Sequence, residues 1–93
     1  MANLLTEADI RTALDNLPGW ERIGNEITRT FECETFPAAI EFVGRVGAAA
    51  ESANHHPDID IRWRKVTFTL ATHSAGGLTA QDMQLAQQIS ELA

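Results

Sequence analysis

The sequence predicts an α+β fold in which three helices lie on one face of a four-stranded antiparallel sheet. Two segments alternate apolar and polar residues around a turn signal, which is typical of β-hairpins. Three other segments carry apolar residues at the spacing of one helix face, and one of them separates the two hairpins. The predicted order is therefore α-β-β-α-β-β-α, and a helix between two hairpins favours one sheet with helices on one side.

The first helix is predicted to begin after Thr6, which forms a capping-box pattern with Asp9. The apolar residues that follow share one helix face: Ile10, Ala13, Leu14 and Leu17. The pair Pro18-Gly19 is expected to end this helix.

The first hairpin is predicted from strands over residues 20–23 and 26–33. Gly24-Asn25 joins them and supplies the positive φ angles that a tight hairpin requires. A long helix should follow, capped by Thr35 and with Pro37 in its first turn.

The long helix has a wide apolar face made of two neighbouring stripes. One stripe contains Phe36, Ile40, Val43 and Gly47, and the other contains Phe42, Val46 and Ala49. Small residues on this helix permit close approach of another helix or of a neighbouring subunit: Gly44, Gly47 and the run Ala48-Ala49-Ala50. Ordinary close packing on the sheet explains them equally well.

The second hairpin is predicted from alternation that brings Ile59, Ile61 and Trp63 to the core face, with a turn at Arg64-Lys65. The second strand carries Val66, Phe68 and Leu70 on the same face. Gly76-Gly77 then breaks the chain, and Thr79 with Asp82 is a second capping-box pattern. The last helix follows, with Leu85, Ile89 and Leu92 on its apolar face.

Composition limits the classes of function. A chain of 93 residues with 44% hydrophobic content is expected to form one domain over residues 1–93. The formal charge of −6 disfavours direct binding to nucleic acid or to anionic membranes. Cys33 is the only cysteine, which excludes an internal disulfide. Since neither a signal peptide nor a membrane span is expected, we predict a cytoplasmic protein.

All three histidines are predicted to lie at one end of the sheet. His55-His56 precede the third strand and His73 follows the fourth, and in a hairpin these positions are neighbours. Histidine gains or loses a proton near neutral pH, so the group suits acid–base chemistry. Two alternatives stay open at this point: surface histidines without a chemical role, and a zinc site that includes Glu51. The zinc site is disfavoured because adjacent residues of an extended chain point in divergent directions.

These residues form a longer pattern. Its constrained positions are Glu51, His55, His56, Pro57, Trp63, His73 and Asp82. This pattern resembles the full signature of the pterin-4a-carbinolamine dehydratase family, and the predicted order of helices and strands is similar to that family's fold. The resemblance implies removal of water from 4a-hydroxytetrahydropterin, which gives quinonoid dihydropterin for reuse by aromatic amino acid hydroxylases. It implies neither a redox cofactor nor a metal.

The resemblance also assigns roles to the residues. His55, His56 and His73 become the catalytic set, with His55 and His73 nearest the 4a-hydroxyl and N5. The residues expected to contact the pterin or to orient a histidine are Asn54, Thr72, Ser74 and Glu51. The remaining signature positions are expected to be structural: Pro57 at the strand entry, Trp63 in the core and Asp82 at the start of the last helix.

The resemblance leaves alternatives for partners and function. It implies a homodimer or a homotetramer, formed through sheet edges or through the small residues of the long helix. Some members of this family act as dimerisation cofactors for a transcription factor, and others are thought to act near molybdopterin metabolism. The sequence does not separate these roles.

Overall fold

The computed structural model describes residues 3–93, and it confirms the predicted order α-β-β-α-β-β-α. The helices are α1 (Glu7–Asp15), α2 (Phe36–Ala53) and α3 (Ala80–Leu92), and the strands are β1 (Glu21–Ile23), β2 (Glu26–Glu32), β3 (Asp58–Arg62) and β4 (Lys65–Leu70). A short 3-10 turn, His73–Ala75, precedes α3 and has no counterpart in the sequence prediction. None of the helices described between residues 3 and 93 is long and apolar enough to cross a membrane.

The four strands form one antiparallel sheet in the order β1-β2-β4-β3. The central pair is β2 and β4, in which Ile27 faces Leu70 and Phe31 faces Val66. In the edge pair, Asp58 at the start of β3 faces Thr69 near the end of β4. The chain before β3 and the chain after β4 therefore leave the sheet at the same end.

The core lies between the sheet and the helices. Aromatic rings fill its centre, with Phe31, Phe42 and Phe68 in mutual edge contact at centroid distances of 5.1 to 5.9 Å. Residues from all three helices join them, including Ile10 from α1 and Ile89 from α3. The edge-to-face arrangement is the one that aromatic quadrupoles favour, and it fixes α2 against the middle of the sheet.

Side-chain caps start the helices where the sequence predicted them. The Thr6 hydroxyl accepts from the Asp9 backbone N–H at 3.1 Å, and the Thr35 hydroxyl accepts from the Ala38 backbone N–H at 3.1 Å. Each bond satisfies a backbone donor that the helix itself leaves unpaired. Helix α1 ends at Asp15, two residues before the predicted Leu17, although Leu17 is still buried.

The prediction for Trp63 was wrong. Strand β3 ends at Arg62, the turn falls on Trp63 and Arg64, and the Trp63 side chain is 69% exposed. Trp63 has a φ of 55°, which rotates its side chain away from the face on which Ile61 packs against the core. Ile59, predicted on the same face, is itself 39% exposed. The turn lies one residue earlier than predicted, and one residue is enough to reverse the facing of a side chain in a sheet.

Two smaller expectations also need correction. In the first hairpin only Gly24 has positive φ, at 60°, so the Gly24-Asn25 turn uses one left-handed residue instead of two. In α2 the buried residues are Ala39, Phe42, Val46 and Ala50. The other stripe begins with Phe36 and Ile40, and these two are 48% and 45% exposed.

Candidate active site

The C-terminus of α2 places His55. The helix ends at Ala53, and Asn54 adopts the left-handed conformation with φ 50° and ψ 42°, which turns the chain back toward the sheet. The backbone N–H of His55 then donates to the Ala50 carbonyl at 3.1 Å. Asparagine tolerates this conformation better than most residues, because its short polar side chain can hydrogen-bond locally. His55 therefore lies immediately after the C-cap of α2, and its side chain is only 10% exposed.

Asp82 is the hydrogen-bonding partner of His55. Its carboxylate is fully buried, and its Oδ1 lies 2.5 Å from Nε2 of His55. The other oxygen, Oδ2, accepts from the Thr72 hydroxyl at 2.8 Å and from the Thr79 backbone N–H at 2.9 Å. A buried carboxylate requires this degree of hydrogen bonding, because an unsatisfied charge away from water is strongly unfavourable. Asp82 therefore caps α3 and holds the histidine at the same time.

The direction of each bond in this group follows from counting protons. A carboxylate offers only acceptors, so the proton shared by His55 and Asp82 belongs to Nε2. A hydroxyl has one proton, and Thr72 gives its own to Asp82; the Thr79 hydroxyl, 2.8 Å away, must then donate to the Thr72 oxygen. The result is an ordered chain from Thr79 through Thr72 to Asp82. The ring nitrogen Nδ1 of His55 has no hydrogen-bond partner among residues 3–93 and is available to a ligand.

His56 has a partner of its own. Its Nε2 lies 2.8 Å from Oε1 of Glu51, one helical turn back on α2. Both side chains are largely exposed, so solvent weakens the electrostatic part of the contact. Glu51 therefore bonds a histidine, as predicted, and does so from the solvent side of the helix.

His73 lies on the 3-10 turn that follows β4. Its side chain is exposed, and it borders a surface cleft of about 370 Å³ whose other walls include Ile23, Asn25 and Gly77. His55 borders a different cleft, of about 450 Å³, between the end of α2 and the glutamine-rich face of α3. The structure brings all three histidines to the same end of the sheet, but it does not place His55 and His73 in one cavity.

The cleft beside His55 is lined mainly by uncharged polar side chains. Gln81, Gln84 and Gln88 follow one another along α3, and Ala53 closes the opposite side. Amide groups both donate and accept hydrogen bonds, and the volume falls within the range of small-molecule sites. The cleft can therefore receive a polar heterocycle next to a histidine.

The remaining predicted site residues occupy varied positions. Ser74 and Asn54 are exposed, whereas Pro57 is half-buried at the entry to β3. Thr72 is buried, its hydroxyl serves Asp82, and its carbonyl accepts from the backbone N–H groups of Ala75 and Gly76 at 3.0 Å each. Within residues 3–93 no three His, Cys, Asp or Glu side chains are arranged to hold a metal ion.

Sequence reasoning missed the contact between Asp82 and His55. The capping-box pattern with Thr79 already explained Asp82, and the capping bond is present at 2.9 Å. The histidine is 27 positions away along the chain, so no local spacing could reveal the second bond. The only available signal was that both residues stand in one signature.

Comparison with known proteins identifies the family. The family model described as pterin 4 alpha carbinolamine dehydratase matches residues 3–92. The chain belongs to this family. A relative from Nocardia farcinica (strain IFM 10152), whose name gives pterin-4-alpha-carbinolamine dehydratase as a provisional assignment, is 66% identical over 90 residues. That match covers 97% of this chain and 95% of the relative.

Solved structures show how the family fold is shared. A crystal structure of a transcriptional coactivator/pterin dehydratase from Brucella melitensis is 35% identical, with a TM-score of 0.94 and coverage of 98% of this chain and 99% of that chain. A pterin dehydratase-like protein described as a RuBisCO assembly factor of the alpha-carboxysome has a TM-score of 0.66. It is 19% identical, with coverage of 80% of this chain and 86% of that chain, so it shares the fold alone.

Proposed function

We propose that the chain catalyses the dehydration of 4a-hydroxytetrahydropterin to quinonoid dihydropterin, as a cytoplasmic enzyme that recycles the pterin cofactor of aromatic amino acid hydroxylases. Membership of the family supports the reaction class. The observation that carries the proposal is the buried contact between Asp82 and His55, since it is the arrangement expected of a histidine prepared for proton transfer. One core contains residues from all three helices, which supports one domain over residues 1–93.

The reaction requires two proton transfers and the loss of one bond. The 4a-hydroxyl is a poor leaving group as hydroxide, so a general acid protonates it and the C4a–O bond breaks with release of water. A general base takes the proton from N5, and the electron pair left behind forms the C4a=N5 double bond. Each positioned group contributes about 10²- to 10⁴-fold to the rate.

The histidines supply these groups. His55 donates from Nε2 to Asp82, which leaves Nδ1 to exchange a proton with the substrate. We assign the second transfer to His73 and the polarisation of the pterin to His56, which Glu51 orients. Because His55 and His73 border different clefts, this assignment requires a pterin that reaches from one cleft to the other. In this proposal Asn54, Ser74 and the backbone beside Thr72 contact the ring.

The test is a rate measurement on enzymatically generated 4a-hydroxytetrahydropterin, whose decay is followed by ultraviolet absorbance. The wild type should accelerate the decay above the spontaneous rate. The variants His55→Ala, His56→Ala and His73→Ala should each lose activity, with the largest loss at His55. Arg11→Ala, at an exposed position on α1, is the control and should behave as wild type.

Each outcome has a distinct meaning. If all three histidine variants kept the wild-type rate, the assignment of the site would be wrong. If the wild type bound pterin without accelerating the decay, another pterin would be the substrate. A folded protein that bound no pterin would favour an interaction role instead.

The exposed stripe of α2 supports a second proposal, which concerns partners. Phe36 and Ile40 are large apolar side chains in contact with solvent, and the exposed Gly44, one helical turn after Ile40, leaves room for close approach. We propose that copies of the chain associate through this face as a homodimer or homotetramer. The same face could instead serve a different protein in an interaction role, and that role should survive loss of the histidines.

A further inference from the structure

Thr72 links the two candidate catalytic histidines His55 and His73. Its hydroxyl donates to Oδ2 of Asp82 at 2.8 Å, and Oδ1 of the same carboxylate holds His55. The next residue in the chain is His73. One buried side chain therefore lies between the partner of one candidate catalytic histidine and the backbone of another.

The backbone of Thr72 also closes the loop that carries His73. Its N–H donates to the Gly77 carbonyl at 2.9 Å, and its carbonyl accepts from the N–H groups of Ala75, Gly76 and Gly77 at 3.0 to 3.3 Å. With these bonds the start and the end of the loop are fixed to one residue. Since Thr72 is only 5% exposed, water does not compete for them.

The proton order makes the hydroxyl hard to replace. Asp82 accepts three bonds, and Thr72 gives the only side-chain hydroxyl among them. Without it, Oδ2 keeps one backbone donor, and the carboxylate is free to rotate away from the position that suits His55. Linked hydrogen bonds in a buried site also strengthen one another. Loss of the bond between Thr72 and Asp82 therefore weakens the bond between Asp82 and His55 as well.

We propose that Thr72 is a positioning residue whose hydroxyl, acting through the Asp82 carboxylate, sets the orientation of His55 relative to the loop of His73. It touches no reacting atom itself. The catalytic part of this proposal rests on the proposed dehydratase function, whereas the orientation of His55 does not.

The test uses Thr72→Val, which keeps the branched shape and removes the hydroxyl, and Thr72→Ser, which keeps the hydroxyl. The valine variant should lower kcat about 10-fold, less than the roughly 10²- to 10⁴-fold contribution of a general acid or base itself, and should leave KM nearly unchanged. The serine variant should recover most of the activity. Thr69→Val is the matched control, because it makes the same change at a half-buried hydroxyl on β4 that bonds Thr28 and lies outside the Thr79–Thr72–Asp82 chain.

A spectroscopic measurement separates this proposal from the dehydratase proposal. In ¹⁵N NMR spectra of the imidazole rings, wild-type His55 should show the proton on Nε2, and Thr72→Val should disturb that signal. His56, bonded to Glu51, is the internal reference and should not change. This readout holds even if the protein proves to have no dehydratase activity.

Two results would overturn the proposal. One is a folded Thr72→Val variant with the wild-type His55 signal and kcat. The other is an equal loss of activity in Thr72→Val and Thr72→Ser, which would assign the effect to packing. If Thr72→Val does not fold, a ¹H NMR measurement on the wild type tests the inference instead. A hydrogen-bonded Thr72 hydroxyl gives a slowly exchanging proton resonance. Absence of that resonance would contradict the inference.

Discussion

Among single residues, Trp63 holds a conformation that bulky side chains rarely adopt. Its φ is 55°, its indole is 69% exposed, and the Arg64 guanidinium lies 4.6 Å from the ring centroid. The left-handed conformation costs a residue with a Cβ about 1–2 kcal/mol relative to glycine. Stacking of the half-buried Arg64 on this exposed ring offsets about 0.5–1 kcal/mol of this.

We predict that Trp63→Gly leaves the free energy of unfolding within about 1 kcal/mol of wild type, because relief of strain and loss of stacking nearly cancel. Trp20→Gly is the matched control: Trp20 is 5% exposed and donates to Ser90 at 2.9 Å, so it should lose at least about 3 kcal/mol. Urea unfolding measures both. An equally large loss at Trp63 would mean that it is buried after all, for example against a partner.

The two signature residues Trp63 and Asp82 show where sequence reasoning ends. Alternation predicted the strand that leads to Trp63, but it cannot locate the first residue of a turn, and a shift by one position changed the side chain from buried to exposed. Asp82 was correctly placed at a helix start, whereas its bond to His55 depends on how α2 and α3 come together. Local patterns therefore predicted the catalytic candidates but not the residue that orients one of them.

At the scale of elements, local sequence patterns predicted the helix starts and the hairpins correctly. Thr6 and Thr35 cap their helices as predicted, and both hairpins form, since each depends on residues close together in the chain. The two stripes of α2 were also recognisable. Which stripe faces the sheet was not, because both are apolar and the choice depends on contacts with β4 and α3.

The exposed stripe of α2 gives the element-scale prediction. Ile40→Arg should shift the mass measured by light scattering from that of an oligomer to that of a monomer, because an arginine cannot be buried without a partner. Ile23→Arg is the control: Ile23 is also exposed, at 62%, but lies on β1 and not on α2. A wild type that is already monomeric at micromolar concentration would contradict the proposed self-association.

At the scale of the whole molecule, one ion pair ties the N-terminal helix to the first hairpin. The Arg22 guanidinium on β1 bonds both carboxylate oxygens of Glu7 on α1. The hydrogen bond from Arg22, together with its charge, lowers the pKa of Glu7 below its ordinary value of 4.5. Because the folded pKa is the lower one, the pair stabilises the fold above pH 4.5, and this stabilisation is lost as the pH falls through the folded pKa.

We therefore expect Glu7→Gln to reduce the thermal midpoint at pH 7, and the difference from wild type to shrink below pH 4.5 until it disappears. Both side chains are at the surface, so the reduction should be small and weaker at high salt. The control is Glu21→Gln, since Glu21 is exposed and has no ion pair among the described residues. A difference that persists unchanged at pH 3 would show that charge is not its cause.

Asp82 hydrogen-bonds both the start of α3 and His55, and this has a consequence for how the sequences of relatives diverge. The carboxylate caps α3 through Thr79 and also bonds His55, so a relative without dehydratase activity would still be stabilised by an acid at this position. His55 and His73 do not cap a helix, so in such a relative other residues could replace them. Retention of the aspartate is therefore poor evidence of activity in a distant homologue. Replacement of the histidines is the better indication that the function has changed.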